Sequence, residues 1–229
     1  DTFLYLIEQK MKINYLTWIH HLSKELHGRA DCYNLLYSNV QEPTKLLAKH
    51  SENSNEFIQQ FKQPNVWGHP HLVEGIANHY GISNDRILIT TGASLGMIIV
   101  CQTFLKPGDH VIVEYPVYEP LLAATDSLGV RISLLKRRAE QNYQIDLNEL
   151  DSLVTPQTKL IILSNLHNPS SAWLADKLLQ DMVTTAKKYN DEIKVVIDEV
   201  YHDFVKTQQR PAALLDDAFI SINSLSKVY

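Results

Sequence analysis

Val195-Val196-Ile197-Asp198-Glu199-Val200-Tyr201, with Ser224-Leu225-Ser226-Lys227 following it, is the stretch that decides the fold. The β-branched run Val195–Ile197 predicts a short buried strand with Asp198 at its carboxyl end. In open α/β sheets that edge is where ligands sit. Phe219–Ile222 is a second apolar strand whose alternation suggests burial, and Lys227 lies just beyond it. An acid and a lysine are thereby expected at one sheet edge.

Working back from that stretch, strands and helices alternate. Predicted strands are Ile87–Thr90, Val111–Val113, Val130–Leu135 and Leu160–Ser164. The helices between them are Met97–Phe104, Glu119–Leu128, Leu147–Val154 capped by Asp146, and residues 176–189. Lys106-Pro107-Gly108-Asp109 and Gly129 supply turns. Ahead of these, Leu72, Ile76 and Tyr80 form a helical stripe ended by Gly81, and residues 3–26 carry a helical arm stopped at Gly28. Residues 34–65 are irregular apart from a short helix at Glu56–Phe61. The βαβ rhythm predicts an α/β fold, a mostly parallel sheet with helices on both faces in three α/β/α layers. An N-terminal arm and substrate-side segment is expected over 1–65, and a large domain over 66–229.

The 229 residues are 45% hydrophobic and 21% charged, with net charge −5 and no basic block, so nucleic acid and anionic membranes are not expected partners. Cys32 and Cys101 are far apart, without CxxC spacing, which argues against a metal cluster or a disulfide framework and suits a reducing cytosol. None of the ten histidines has metal-ligand spacing, so no metal is expected. No stretch reaches the roughly 18 apolar residues of a membrane span. Asp1–Leu6 has neither a basic n-region nor a cleavage site, so no signal peptide is expected.

Between the first predicted strand and its helix lies Thr91-Gly92-Ala93-Ser94-Leu95-Gly96. Small residues there let backbone N–H groups approach a phosphate at the positive end of a helix. The same residues match G-x-S-x-G, the nucleophile elbow of α/β-hydrolases, for which Ser94, Asp198 and His202 would form the triad. Three features weigh against that alternative. No HGGG-type oxyanion loop lies upstream, too few strands precede the elbow, and Asp198 and His202 are only one turn of chain apart.

Further along stand Pro116-Val117-Tyr118 after a strand, and Asn165-Leu166-His167-Asn168-Pro169-Ser170 after another. The acid of Asp198, the phenol of Tyr201 and the amine of Lys227 suit one chemistry. A lysine can form a Schiff base with an aldehyde cofactor while a carboxylate keeps that cofactor's ring nitrogen protonated.

These motifs, in this order, resemble the fold-type-I aminotransferases, which use pyridoxal 5'-phosphate (PLP). The resemblance runs from about Leu35 to Tyr229 and is strongest from Trp67, where Trp67-Gly68-His69-Pro70-His71-Leu72 is similar to the family's G-x-x-x-L segment. It implies that Ala93, Ser94 and Ser224 hold the cofactor phosphate and that Tyr118 stacks on the ring. It implies also that Asn168 and Tyr201 share the phenolic oxygen, that Asp198 binds the ring nitrogen and that Lys227 is the Schiff-base lysine. Lys227 would then carry the proton between substrate Cα and cofactor. Amino-acid and 2-oxo-acid substrates, a cytoplasmic location and a homodimer are implied for the complete protein.

The sequence departs from the family in two places. Ser171 stands where the family has glycine, and no glycine occurs near Ser38-Asn39 in the substrate loop. The chain stops at Tyr229, so the C-terminal small domain and the arginine that clamps the substrate carboxylate are expected beyond it. Arg131, Arg137 and Arg138 flank the strand Val130–Leu135, and none is placed beside Lys227. Residues 1–229 alone are therefore expected to be inactive. Decarboxylases, C–S lyases and synthases of the same cofactor class share every motif named. A non-enzymatic PLP-fold effector module or an inactive remnant is a further alternative.

Overall fold

The computed structural model describes residues 14–29, 31, 67–205 and 210–227. Among the described residues five strands pair in parallel: β1 (His110–Tyr115), β2 (Arg131–Lys136), β3 (Thr158–Ser164), β4 (Lys194–Asp198) and β5 (Phe219–Ile222), in the order β2-β1-β3-β4-β5. The described helices are α1 (Asn14–Leu26), α2 (Pro70–Tyr80), α3 (Ala93–Phe104), α4 (Glu119–Asp126), α5 (Leu147–Leu153) and α6 (Asp176–Lys187).

The apolar runs of β1, β3 and β4 are continuous because both sheet faces are covered. Val111, Val113, Leu160, Ile162 and Val196 pack with Met97 and Cys101 of α3 and with Leu121 and Ala124 of α4. Their alternate neighbours Ile112, Ile161, Leu163, Val195 and Ile197 pack with Leu150 of α5 and with Leu179, Met182 and Val183 of α6. This period of two, with helices on each side, is the three-layer architecture read from the sequence.

Chain direction reverses at β1. From β1 the chain crosses to β2 on one side, then returns past β1 to β3 on the other. The carboxyl ends of β1 and β3 thus flank a topological switch point.

Local chemistry sets the element ends. Asp146 accepts hydrogen bonds from the Asn148 amide (2.8 Å) and the Glu149 amide (3.4 Å), capping α5 as expected. α2 begins at Pro70, whose missing N–H costs nothing at a first helical position, and stops at Gly81, which is left-handed at φ 67°.

Three expectations are corrected. Ile87–Thr90 is extended but joins no ladder among the described residues; the Ile89 amide donates to the Trp67 carbonyl at 3.1 Å instead. That contact explains Gly68, because a Cβ there would lie 2.3 Å from an Ile89 side-chain carbon. Second, α3 starts at Ala93, not Met97, so Ala93 and Ser94 form its first turn rather than a loop. Third, β5 does not alternate: Phe219 and Ile222 are buried while Ile220 and Ser221 are half-buried, as suits a strand at the sheet edge. The predicted helix at Glu56–Phe61 and the loop at Ser38-Asn39 lie outside the described residues, as does the arm before Asn14.

Candidate active site

Asp198 ends β4 with its side chain nearly buried. Its Oδ1 accepts from the Val200 amide at 3.2 Å. Burial pushes this carboxyl up to about 6, against the opposing pull of that amide and of the Lys227 charge. An acid raised mainly by desolvation is one that a cationic partner would return to its ionised form.

Lys227 lies in the short 3₁₀ turn Leu225–Lys227 just after β5. Ser224, in the same loop, has its hydroxyl 2.8 Å from that of Ser226, and its Oγ accepts from the Ser226 amide at 3.2 Å. The first turn of α3 packs beside the carboxyl end of β5, since a Cβ at Gly96 would lie 3.6 Å from Ile222. At the start of α3, Gly92 has φ 81° and ψ 159°, a conformation reserved for glycine, and a Cβ there would meet no atom. The first turn carries no acidic residue and no side-chain cap, and Ser94 is exposed. Its amides therefore present uncontested positive potential.

Asn168 follows β3, half-buried, and its amide donates to Ser164 Oγ at 3.2 Å. Ser171 adopts φ 61° and its amide donates to the His167 carbonyl at 2.7 Å, so serine takes the left-handed turn that glycine usually fills. Tyr118 is half-buried at the N-cap of α4. Tyr201 is half-buried beyond β4, its ring 6.3 Å from that of Phe204. The Asn165 amide bonds the Asp198 carbonyl at 2.9 Å, and the Glu199 amide bonds the Ile222 carbonyl at 2.7 Å, so three strand ends are laced together. All eight predicted site residues lie at or just after the carboxyl ends of strands or open α3 at that edge.

The profile of the family described as aminotransferase class I and II matches residues 33–229. The chain belongs to the class I and II aminotransferases. Among the relatives of this aminotransferase chain is an aspartate aminotransferase of Thermotoga maritima, 29% identical over 189 residues, covering 77% of this chain and 49% of that one. A solved PLP-dependent aminotransferase from Streptococcus suis superimposes with TM-score 0.72 at 30% identity, covering 84% of this chain and 52% of that one. The fold is also that of a Thermus thermophilus aspartate aminotransferase, with TM-score 0.82 at 19% identity over 96% of this chain and 59% of that one. The chain spans about half the length of the curated relatives it matches.

In this aminotransferase chain the donor set fits PLP. Helix amides and serine hydroxyls suit a phosphate, Lys227 suits an aldehyde, and the buried acid Asp198 suits a protonated ring nitrogen. The family match sets the hydrolase alternative aside; His202 Nδ1 lies 3.7 Å from Glu199 Oε1, and its ring is 5.9 Å from that of Trp173.

Sequence reasoning missed a buried charge pair at the switch point. Glu114 and Arg137, both with fully buried side chains, meet at 2.7 Å. Glu114 Oε1 also accepts from the amide (2.6 Å) and the hydroxyl of Ser164, while Arg137 donates to the carbonyls of Ser164 (3.2 Å) and Tyr143 (2.6 Å). Arg137 thus does reach the carboxyl edge, but its guanidinium is engaged by Glu114. The available signal was a glutamate closing the otherwise apolar Val111–Val113 strand. His167, which no metal-ligand spacing singled out, is buried, with Nε2 2.8 Å from the Pro116 carbonyl and Nδ1 2.6 Å from Ser170 Oγ.

Proposed function

We propose that this chain is the cofactor-binding part of a PLP-dependent aminotransferase moving an amino group between an amino acid and a 2-oxo acid. The observation that carries the reading is Asp198, buried at the end of β4 and under the charge of Lys227. When bound, PLP supplies an aldehyde for the lysine and a ring that takes up electrons released at a substrate carbon.

This chain's residues have the following roles. Asp198 holds a proton on the ring nitrogen, and the amides of Ala93 and Ser94 with the Ser224 hydroxyl bind the phosphate. Tyr118 would orient the ring. Asn168 and Tyr201 donate hydrogen bonds to its phenolic oxygen, which lowers the proton affinity at Lys227 Nζ. Lys227 Nζ, when not bonded to the cofactor, would take the proton from substrate Cα and hold it.

Residues 66–229 act as the PLP-binding large domain, and 1–65 as the arm and substrate-side segment. The relatives named for aspartate, for histidinol phosphate and for arginine with pyruvate are all 29% identical, which supports a substrate assigned by class. We take the complete protein to be a cytoplasmic homodimer. No helix among the described residues is long and apolar enough to cross a membrane.

Borohydride reduction followed by peptide mapping tests the reading: PLP is expected on Lys227. Incubation of the complete protein with a panel of amino acids and a 2-oxo acid acceptor should then yield the exchanged pair. A protein that takes up no PLP sinks the proposal, and loss of CO₂ or sulfide in place of amino exchange would reassign it to the decarboxylases or lyases.

A further inference from the structure

Two tethers converge on the loop that carries Asn168. The first runs through its own amide. Asn168 N–H donates to Ser164 Oγ, whose hydroxyl donates onward to Glu114 Oε1. Glu114 is in turn pinned by Arg137 and by the Ser164 amide. Burial pushes Glu114 up to about 7 while Arg137 and Ser164 pull it back; with both carboxyl oxygens taking hydrogen bonds, the Ser164 hydroxyl gives its proton to Glu114, leaving its lone pair for Asn168.

The second tether is the neighbouring residue. A carbonyl only accepts, so His167 carries its proton on Nε2 and donates it to Pro116; Nδ1 then accepts from the Ser170 hydroxyl. Burial, reinforced by the Arg137 charge, pushes this imidazole down to about 4, so the ring is neutral and the tautomer is unique at physiological pH. Pro116 lies two residues before Tyr118, and His167 is adjacent to Asn168. One imidazole therefore joins the segment bearing the ring-stacking phenol to the loop bearing the phenolic-oxygen donor.

We propose that Ser164, backed by Glu114, and His167 are positioning residues that hold Asn168 and Tyr118 in place, so that this buried network tunes the proton affinity of the Lys227–cofactor linkage. The proposal rests on the cofactor reading above. None of these side chains needs to touch the cofactor; each acts through Asn168 or Tyr118. The bond most exposed to loosening is the one from Asn168, whose loss raises the proton affinity at Lys227.

The test is a pH titration of the visible absorbance of the PLP-loaded protein, with cofactor dissociation measured in parallel. Ser164→Ala removes one hydroxyl and leaves the Glu114–Arg137 pair intact. His167→Leu removes the second tether, and His167→Gln restores a donor to Pro116. Ser164→Ala and His167→Leu are expected to raise the titration midpoint by about half to one pH unit, since a hydrogen bond to a charged site is at stake. His167→Gln should recover most of that shift. In an Asn168→Ala background the Ser164→Ala shift should vanish, because the group it positions is gone.

A midpoint that stays put while thermal stability falls would make the network purely structural and overturn the proposal. An equal Ser164→Ala shift in the Asn168→Ala background would overturn it too. Wild-type protein in which borohydride fixes no cofactor on Lys227 would overturn the proposed function and this inference together.

Discussion

Replacing Asp198 by asparagine should make the cofactor-free protein more stable, and only above about pH 5. In the folded chain burial raises this carboxyl from its ordinary 3.8 to about 6. A raised acid contributes its full stability below the unfolded value and loses it as pH climbs through the folded one. Here that window is about pH 4 to pH 6. The difference of about two pH units, at about 1.36 kcal/mol each, makes the ionised Asp198 a liability of about 3 kcal/mol at neutral pH. Asparagine is isosteric, has no charge to desolvate, and keeps an oxygen for the Val200 amide. Glu199 is raised as well, mainly by its own burial, with Asp198 the smallest of the causes acting on it. It therefore nearly cancels between the two proteins. Urea unfolding followed by circular dichroism, between pH 4 and pH 8, reads the comparison. The Asp198→Asn protein should match wild type near pH 4 and exceed it by about 3 kcal/mol above pH 7. A gap independent of pH, or a mutant less stable at pH 8, would refute the claim that desolvation dominates this site.

The same substitution in the PLP-loaded protein should act in the opposite direction: Cα deprotonation is expected to slow about 10³-fold, equivalent to about 4 kcal/mol, in single-turnover kinetics. Activity within twofold of wild type would remove Asp198 from its role. Arg137→Met should cost about 3–5 kcal/mol in urea unfolding, because Glu114 would be left buried without its cation. Adding Glu114→Gln to that variant should recover more than half of the loss. Ser171→Gly should raise the unfolding free energy by about 0.5–1 kcal/mol, relieving a non-glycine residue at φ 61° while adding back some unfolded-state entropy. A destabilised Ser171→Gly protein would show that the serine side chain does more than tolerate the turn.

Much of the fold was legible because its signals are local. Val195–Ile197 and Leu160–Leu163 are unbroken apolar runs, and such runs report burial on both faces whatever lies beside them. Asp146 announces a helix start through its own side chain, and Asp198, Ser224 and Lys227 follow directly on strands, so their edge of the sheet was readable before their partners were known. Ile87–Thr90 carries the composition of a strand, yet a strand exists only if a neighbour offers a free edge, and composition is silent on neighbours.

Glu114 and Arg137 are 23 positions apart, and Ser164 and His167 lie a further strand away. They meet because β1 lies between β2 and β3, an order that no short window of sequence encodes. The sequence by itself therefore determined the chain's alternation of elements and the chemistry at its strand ends. Only the tertiary structure decided which of those ends face one another, because side-chain period acts within a window of a few residues while sheet order is settled by packing across the whole domain.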